Sequence, residues 1–251
     1  MSKVVSVHSF RGGTGKSNTT ANLATLLAAD GLRVGIIDTD ISSPGIHVLF
    51  GLVEEDIKAS LNDYLWGLCA IEQAAQDVTS RVGAPVKGKL FLVPSSMKPG
   101  DIAKVLREGY DVGLLNDGYE RLLDKLKLDV LMIDTHPGLN EETLLSIAIS
   151  DALIIIMRPD SQDYQGTAVT VEVARKLEVQ RLLLVVNKVP SSFNTAEVKA
   201  RVEKAYNAEV AGVLPHSDEM MTLASSGIFV LRYPNHAVTG ILKQIAARVM
   251  E

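Results

Sequence analysis

Residues 9–18 read SFRGGTGKSN. Gly12, Gly13 and Gly15, followed directly by Lys16 and Ser17, are the ingredients of a phosphate cradle. Glycines let successive backbone N–H groups curl around an anion, and the first turn of a following helix adds partial positive charge. In such a loop Lys16 reaches the β- and γ-phosphates of a nucleotide, and Ser17 ligates Mg2+. The general pattern G-x4-G-K-[ST] fails only at its first position, where Phe10 stands, and an extra cation, Arg11, precedes the glycines. An ordinary glycine-rich turn would account for the glycines but not for the lysine and serine that follow them.

Acidic groups are the second ingredient. Asp38 and Asp40 fall at the end of an apolar run in IIDTDISSPG, and Asp134 ends another in VLMIDTHPG. A carboxylate there can hold Mg2+ through water, and another can orient an attacking water. Each alone could be a helix N-cap. Three of them at strand ends beside a phosphate loop point instead to a shared ligand crevice.

These residues need a scaffold that brings strand ends together. Apolar, β-branched runs at 3–8, 33–38, 89–93, 129–134, 152–157, 181–187 and 209–214 read as strands. Helices are expected at 16–29, 57–66, 69–77, 113–125, 140–149, 163–177, 194–206 and 236–250. Runs such as VLMID, ALIIIM and LLLVVN are apolar on both strand faces. That composition belongs to a parallel sheet covered by helices on each side. The expected fold is therefore α/β in three layers. With no internal repeat or linker-like stretch, residues 1–251 read as a single domain.

Composition limits the partners. The chain has 251 residues, 47% of them hydrophobic and 22% charged, and a net charge of −5. An acidic balance argues against a constitutive grip on nucleic acid. The one cysteine, Cys69, excludes an intrachain disulfide or cysteine-cluster metal site, and its apolar surroundings, LWGLCAIEQA, predict a small core residue. No leader-like segment opens the chain, and no window reaches the roughly 18 apolar residues a membrane span needs, so a cytoplasmic protein is expected.

Taken together, SFRGGTGKSN, IIDTDISSPGIHVLFGL, LMIDTHPG, LFLVPSS, SDALIIIMRPDSQDYQGT, VVNKV and GVLPHSDEM resemble the MinD/ParA family of deviant Walker A ATPases along the whole chain. The resemblance implies a P-loop NTPase fold that binds ATP with Mg2+. It places ATP on Gly12, Gly13, Thr14, Gly15, Lys16, Ser17 and Asn18, and the metal with Ser17, Asp38 and Asp134. Asp40, in the switch I position, would position or activate the hydrolytic water. Gly138 would lie in switch II. Asn187 would hydrogen-bond adenine, and Pro215 would line the base.

Arg11 departs from the family, whose loop has lysine there. That lysine reaches across an ATP-bridged dimer to the partner's phosphates, which implies a catalytic and binding role for Arg11 in trans. Arginine keeps the charge but is planar and bidentate. The alternative is an arginine paired within its own chain. His8 and His136, near the proposed site, are expected to be structural histidines.

The implied behaviour is an ATP-dependent homodimer that acts on a protein effector as a positioning or regulatory switch. Val238, Ile241, Leu242, Ile245 and Val249 form one apolar face of the last predicted helix, expected to pack on the sheet, so direct membrane binding is not expected. Alternatives of the same fold are an ATP-dependent small-molecule ligase or synthetase and a ParA-like DNA or cargo partition ATPase.

Overall fold

The computed structural model describes residues 2–251. Eight strands form one sheet: β1 (Lys3–His8), β2 (Arg33–Asp38), β3 (Gln76–Asp77), β4 (Lys89–Val93), β5 (Val130–Asp134), β6 (Ala152–Met157), β7 (Arg181–Val189) and β8 (Glu209–Pro215). Their order is β3-β4-β2-β5-β1-β6-β7-β8. Every pairing is parallel except the two-residue edge strand β3, which runs antiparallel to β4.

Alternation along the strands sorts their side chains onto two faces. Val5, Val7, Ile154, Ile156, Leu183 and Val185 point to one side, where α1 (Lys16–Ala29), α11 (Phe229–Arg232) and α12 (Ala237–Met250) cover them. Leu153, Ile155, Met157, Leu184 and Val186 point to the other, under α7 (Glu141–Ala148), α8 (Ser161–Lys176) and α9 (Thr195–Tyr206). On that same side, Ile37, Val93, Leu131 and Ile133 lie under α3 (Leu61–Leu65), α4 (Ile71–Ala74) and α6 (Gly113–Lys125). Burial on both faces is why these strands carry no polar alternation, and the three-layer expectation holds. The remaining α-helices among the described residues are α2 (Ile46–Leu49), α5 (Pro99–Glu108) and α10 (Asp218–Leu223), with single 3-10 turns at Glu54–Asp56 and Thr79–Val82.

Val238, Leu242, Ile245 and Val249 of α12 are buried as expected, with Ile241 half-buried against them. No helix among the described residues is long and apolar enough to cross a membrane. The expected helices over 57–66 and 69–77 are corrected to the short α3 and α4. Ser60 ends the extended approach by capping α3 through the Asp63 N–H, and residues 76–77 leave the helix to pair with β4. Helix α5 was not expected, although Pro99 in its first turn and Gly109 just past its end are ordinary start and stop signals. Cys69 is also corrected: it is half-buried between α3 and α4 and packs against the edge of the core.

Candidate nucleotide site

Connections leave β1 for β2 on one side and reach β6 on the other, so the crevice above the carboxyl end of β1 is the switch point of the sheet. Residues 9–15 cross that crevice and lead into α1. Gly13 (φ 76°) and Gly15 (φ 100°) both take the left-handed conformation, which glycine adopts without a Cβ penalty. At Gly15 the requirement is double, because a Cβ there would lie 2.5 Å from the Asn187 amide nitrogen.

That contact shows what holds the loop from behind. Asn187 Nδ2 donates to the Thr14 carbonyl at 2.7 Å, and Lys188 Nζ donates to the Gly13 carbonyl at 2.8 Å. The other end of the Asn187 amide accepts the Lys188 N–H at 2.8 Å. Lys188 reaches its position through an irregularity in β7, where its φ is 56° and the register against β8 shifts. Sequence reasoning assigned Asn187 to the base and missed Lys188. The visible signal was the NK pair at the end of an apolar strand.

Asn187 and Pro215 do share a cavity, about 350 Å3 in volume, beside the loop. Gly15, Asn18, Thr19, Met220 and Met221 also line it. Its size and mixed lining suit a small organic ligand. The two methionines come from α10, which was not expected.

In front of the loop the charges converge. Lys16 is buried to 7% exposure. Asp38 and Asp134 are aligned in register on neighbouring strands and are both buried. Asp38 accepts the backbone N–H groups of Asp40 (3.0 Å) and Gly45 (3.2 Å), which folds residues 38–45 around it. Asp134 accepts from the Thr20 hydroxyl at 3.2 Å. Asp40 accepts the Ser43 N–H at 3.2 Å, and its carboxylate lies 3.8 Å from His136 Nε2. His136 joins it from residues 135–138, where Gly138 donates its N–H to the Ser9 carbonyl.

Burial pushes Asp38 well above the usual carboxylate range, with the charges of Asp134 and Asp40 adding to it. Burial likewise raises Asp134 to about 6 against the opposing pull of Lys16, Ser17 and Thr20. Asp40 is raised by burial, opposed by His136 and Lys16. Clustered carboxylates that resist ionising fit a divalent cation. No group of three His, Cys, Asp or Glu that could hold a metal occurs among the described residues, so the phosphates and Ser17 would have to complete the shell. His8, buried beneath the loop with Thr135 at 2.8 Å from Nδ1, is held at about 3 by burial and by Lys16. Both causes favour the neutral ring, whose buried Nε2 has no hydrogen-bond partner among the described residues.

These shifts predict a pH dependence of the ligand-free protein. Asp38 and Asp134 bind protons more tightly folded than unfolded. For Asp134 that contribution to stability is complete below about pH 4 and is lost as pH rises through about 6, and Asp38 acts in the same direction. The thermal midpoint contributed by this pair therefore rises on acidification from about pH 7 to 5. Asp134→Asn should flatten that rise in a melting series; an equal slope in the variant counts against the assignment.

Arg11 lies at the outer rim of the loop, 37% exposed. It meets Asp163 at 3.3 Å and Asp160 at 3.5 Å, both in its own chain. Asp163 is almost wholly buried and also accepts the Arg158 N–H at 2.8 Å. Both acids lie about 150 positions further along the chain, so nothing local to Arg11 marks them as its partners.

Known proteins supply the decisive comparison. The family model ParA, described as the NUBPL iron-transfer P-loop NTPase, matches residues 1–250. The chain belongs to the MinD/ParA family of P-loop NTPases. An uncharacterized ATP-binding protein of Methanocaldococcus jannaschii is 27% identical over 251 residues, covering 100% of this chain and 88% of that protein. The septum site-determining protein MinD of Bacillus subtilis is 24% identical, covering 100% of this chain and 90% of its own length. Among solved structures, the Pyrococcus horikoshii MinD complexed with Mg-ADP superposes with a TM-score of 0.81 at 20% identity, covering 99% of this chain and 96% of that one. The iron transfer named in the family description finds in this MinD/ParA chain one thiol, Cys69, whose pKa is pushed up by burial and by Asp63 and Glu72.

Proposed function

We propose that this chain is a Mg2+-dependent ATPase, a single domain over residues 1–251, whose ATP-bound form pairs with a second copy and acts as a positioning or regulatory switch on a protein complex. The observation that carries the reading is Lys16, buried at the start of α1 and set against Asp134 and Asp40. A cation held there among acids is stabilised further by a polyphosphate.

Backbone N–H groups of residues 12–18 and the N-terminus of α1 would wrap the phosphates, with Lys16 on the terminal ones. Mg2+, when bound with ATP, would spread the negative charge of the β- and γ-phosphates; Ser17, Asp38 and Asp134 would hold it. Asp40, fixed by Ser43 and by the Asp38 carboxylate that takes its N–H, would orient the attacking water. Asn187 supports adenine recognition indirectly, by fixing the loop wall of the cavity that Pro215 and Asn18 also line. The Pyrococcus horikoshii relative is complexed with Mg-ADP, and the Bacillus subtilis one is named for septum siting; both support this reading.

Arg11 would serve the second subunit's ATP. Its pairing with Asp160 and Asp163 leaves it at the rim, where a facing triphosphate competes with two carboxylates for one guanidinium. Size-exclusion chromatography with light scattering, compared with ATP, with ADP and without nucleotide, tests the switch: a dimer only with ATP is expected, and a nucleotide-independent mass overturns it. Arg11→Ala should weaken the ATP dimer by about tenfold or more while ATP binding stays measurable. An undiminished dimer removes Arg11 from the interface.

A further inference from the structure

The loop's missing first glycine has a structural counterpart elsewhere. Phe10 stands where the general pattern carries glycine, and its ring lies directly on α8 at Gly166. A Cβ built on Gly166 would lie 2.2 Å from Phe10 Cδ1, 2.4 Å from Cγ and 2.8 Å from Cβ. Those distances are far inside van der Waals contact. Turning the ring outward relieves the first two but leaves the Phe10 Cβ where it is, so any larger residue at 166 must push the loop and α8 apart. The next loop residue meets the same helix one turn earlier, through Arg11 and Asp163. Positions 163 and 166 are neighbours on one helix face. Consecutive residues of the loop therefore seat on a carboxylate and a hollow presented by α8.

The seat lies at the entrance to the phosphate cradle. Ser9, just before Phe10, accepts the Gly138 N–H through its carbonyl at 3.2 Å, and its hydroxyl donates to the Arg11 carbonyl at 2.7 Å. Gly13 and Gly15, whose left-handed turns shape the cradle, follow within the same short loop. Displacing Phe10 changes the entry point of every backbone N–H that would face phosphate. We propose that Phe10 and Gly166 are a size-matched positioning pair: the aromatic side chain at the loop's first position requires a side-chain-free site on α8, and together they set the phosphate loop for nucleotide. The proposal rests on residues 12–18 being the nucleotide site, and it assigns to α8 a direct influence on that site.

The test is a double-mutant cycle on the full chain with Gly166→Ala, Phe10→Ala and the double variant. Binding is read with a fluorescent ATP analogue, and amide hydrogen exchange over residues 9–18 is read without nucleotide. Gly166→Ala should weaken binding by about tenfold or more and speed exchange in the loop, since overpacking is relieved by moving backbone. Phe10→Ala in the Gly166→Ala background removes the two closest atoms but keeps Cβ, and should recover only part of that loss and of the slow exchange. Phe10→Gly, which also removes Cβ, should recover it fully. Gly166→Ala binding as wild type overturns the pairing, and so does a Phe10→Gly, Gly166→Ala double variant no better than Gly166→Ala alone. If Gly166→Ala fails to fold, recovery of folding by Phe10→Gly supports the pair and its absence overturns it. A wild-type chain that binds no analogue refutes the nucleotide reading instead, while the exchange cycle still decides the seat.

Discussion

Asp40→Ala is expected to lower ATP turnover by about 100-fold or more while leaving ATP bound. Three features of the structure support the size of that effect. Asp40 is partly buried, its carboxylate accepts the Ser43 N–H, and its own N–H is held by Asp38, so its position is set by the fold. Burial raises its pKa towards the range useful for taking a proton, while His136 and Lys16 keep the charged form accessible. The side chain is not part of the loop, so the contacts proposed between residues 12–18 and phosphate should survive its removal. Phosphate release gives the turnover. Scattering with ATP gives the second readout, because an unhydrolysed nucleotide should hold the dimer for longer than in wild type. A variant with more than half of wild-type turnover ends the assignment of Asp40 to catalysis.

Lys16→Ala should cost more in binding than any other single change at the site. Removing one partner from a buried, charge-assisted contact costs about 3 kcal/mol, which is about 100-fold in affinity. Lys16 also opposes the raised pKa values of Asp134 and Asp40. Without it those carboxylates ionise less readily, and the variant should lose some stability near neutral pH and regain it in acid. Isothermal titration with Mg-ATP at two pH values separates the effects. Weak binding by a fully folded variant at the lower pH supports the phosphate role, whereas affinity within about threefold of wild type removes Lys16 from the nucleotide contacts.

Much of this was legible in the chain because the informative residues are local. Apolar runs such as ALIIIM are strands buried on both faces, and the spacing of Gly12, Gly13, Gly15, Lys16 and Ser17 is a loop followed by a helix start. The carboxylates Asp38 and Asp134 were readable for the same reason, as the last residues of apolar strands. The segment after β2 was harder. Its helices are four or five residues long, too short for a periodic apolar face to show, and residues 76–77 are committed to the sheet by β4.

What the sequence alone determined, then, is the phosphate loop, the layered α/β scaffold and the acids that end its strands, since each is encoded within a few consecutive residues. What only the tertiary structure decided is which distant residues hold that loop in place. Asn187 and Lys188 bind its carbonyls from β7, Asp160 and Asp163 take up Arg11, and Gly166 makes room for Phe10. Those partners lie well over a hundred positions away along the chain, and no local periodicity carries their approach. It follows from strand order, from helix packing, and from the absence of one side chain on α8.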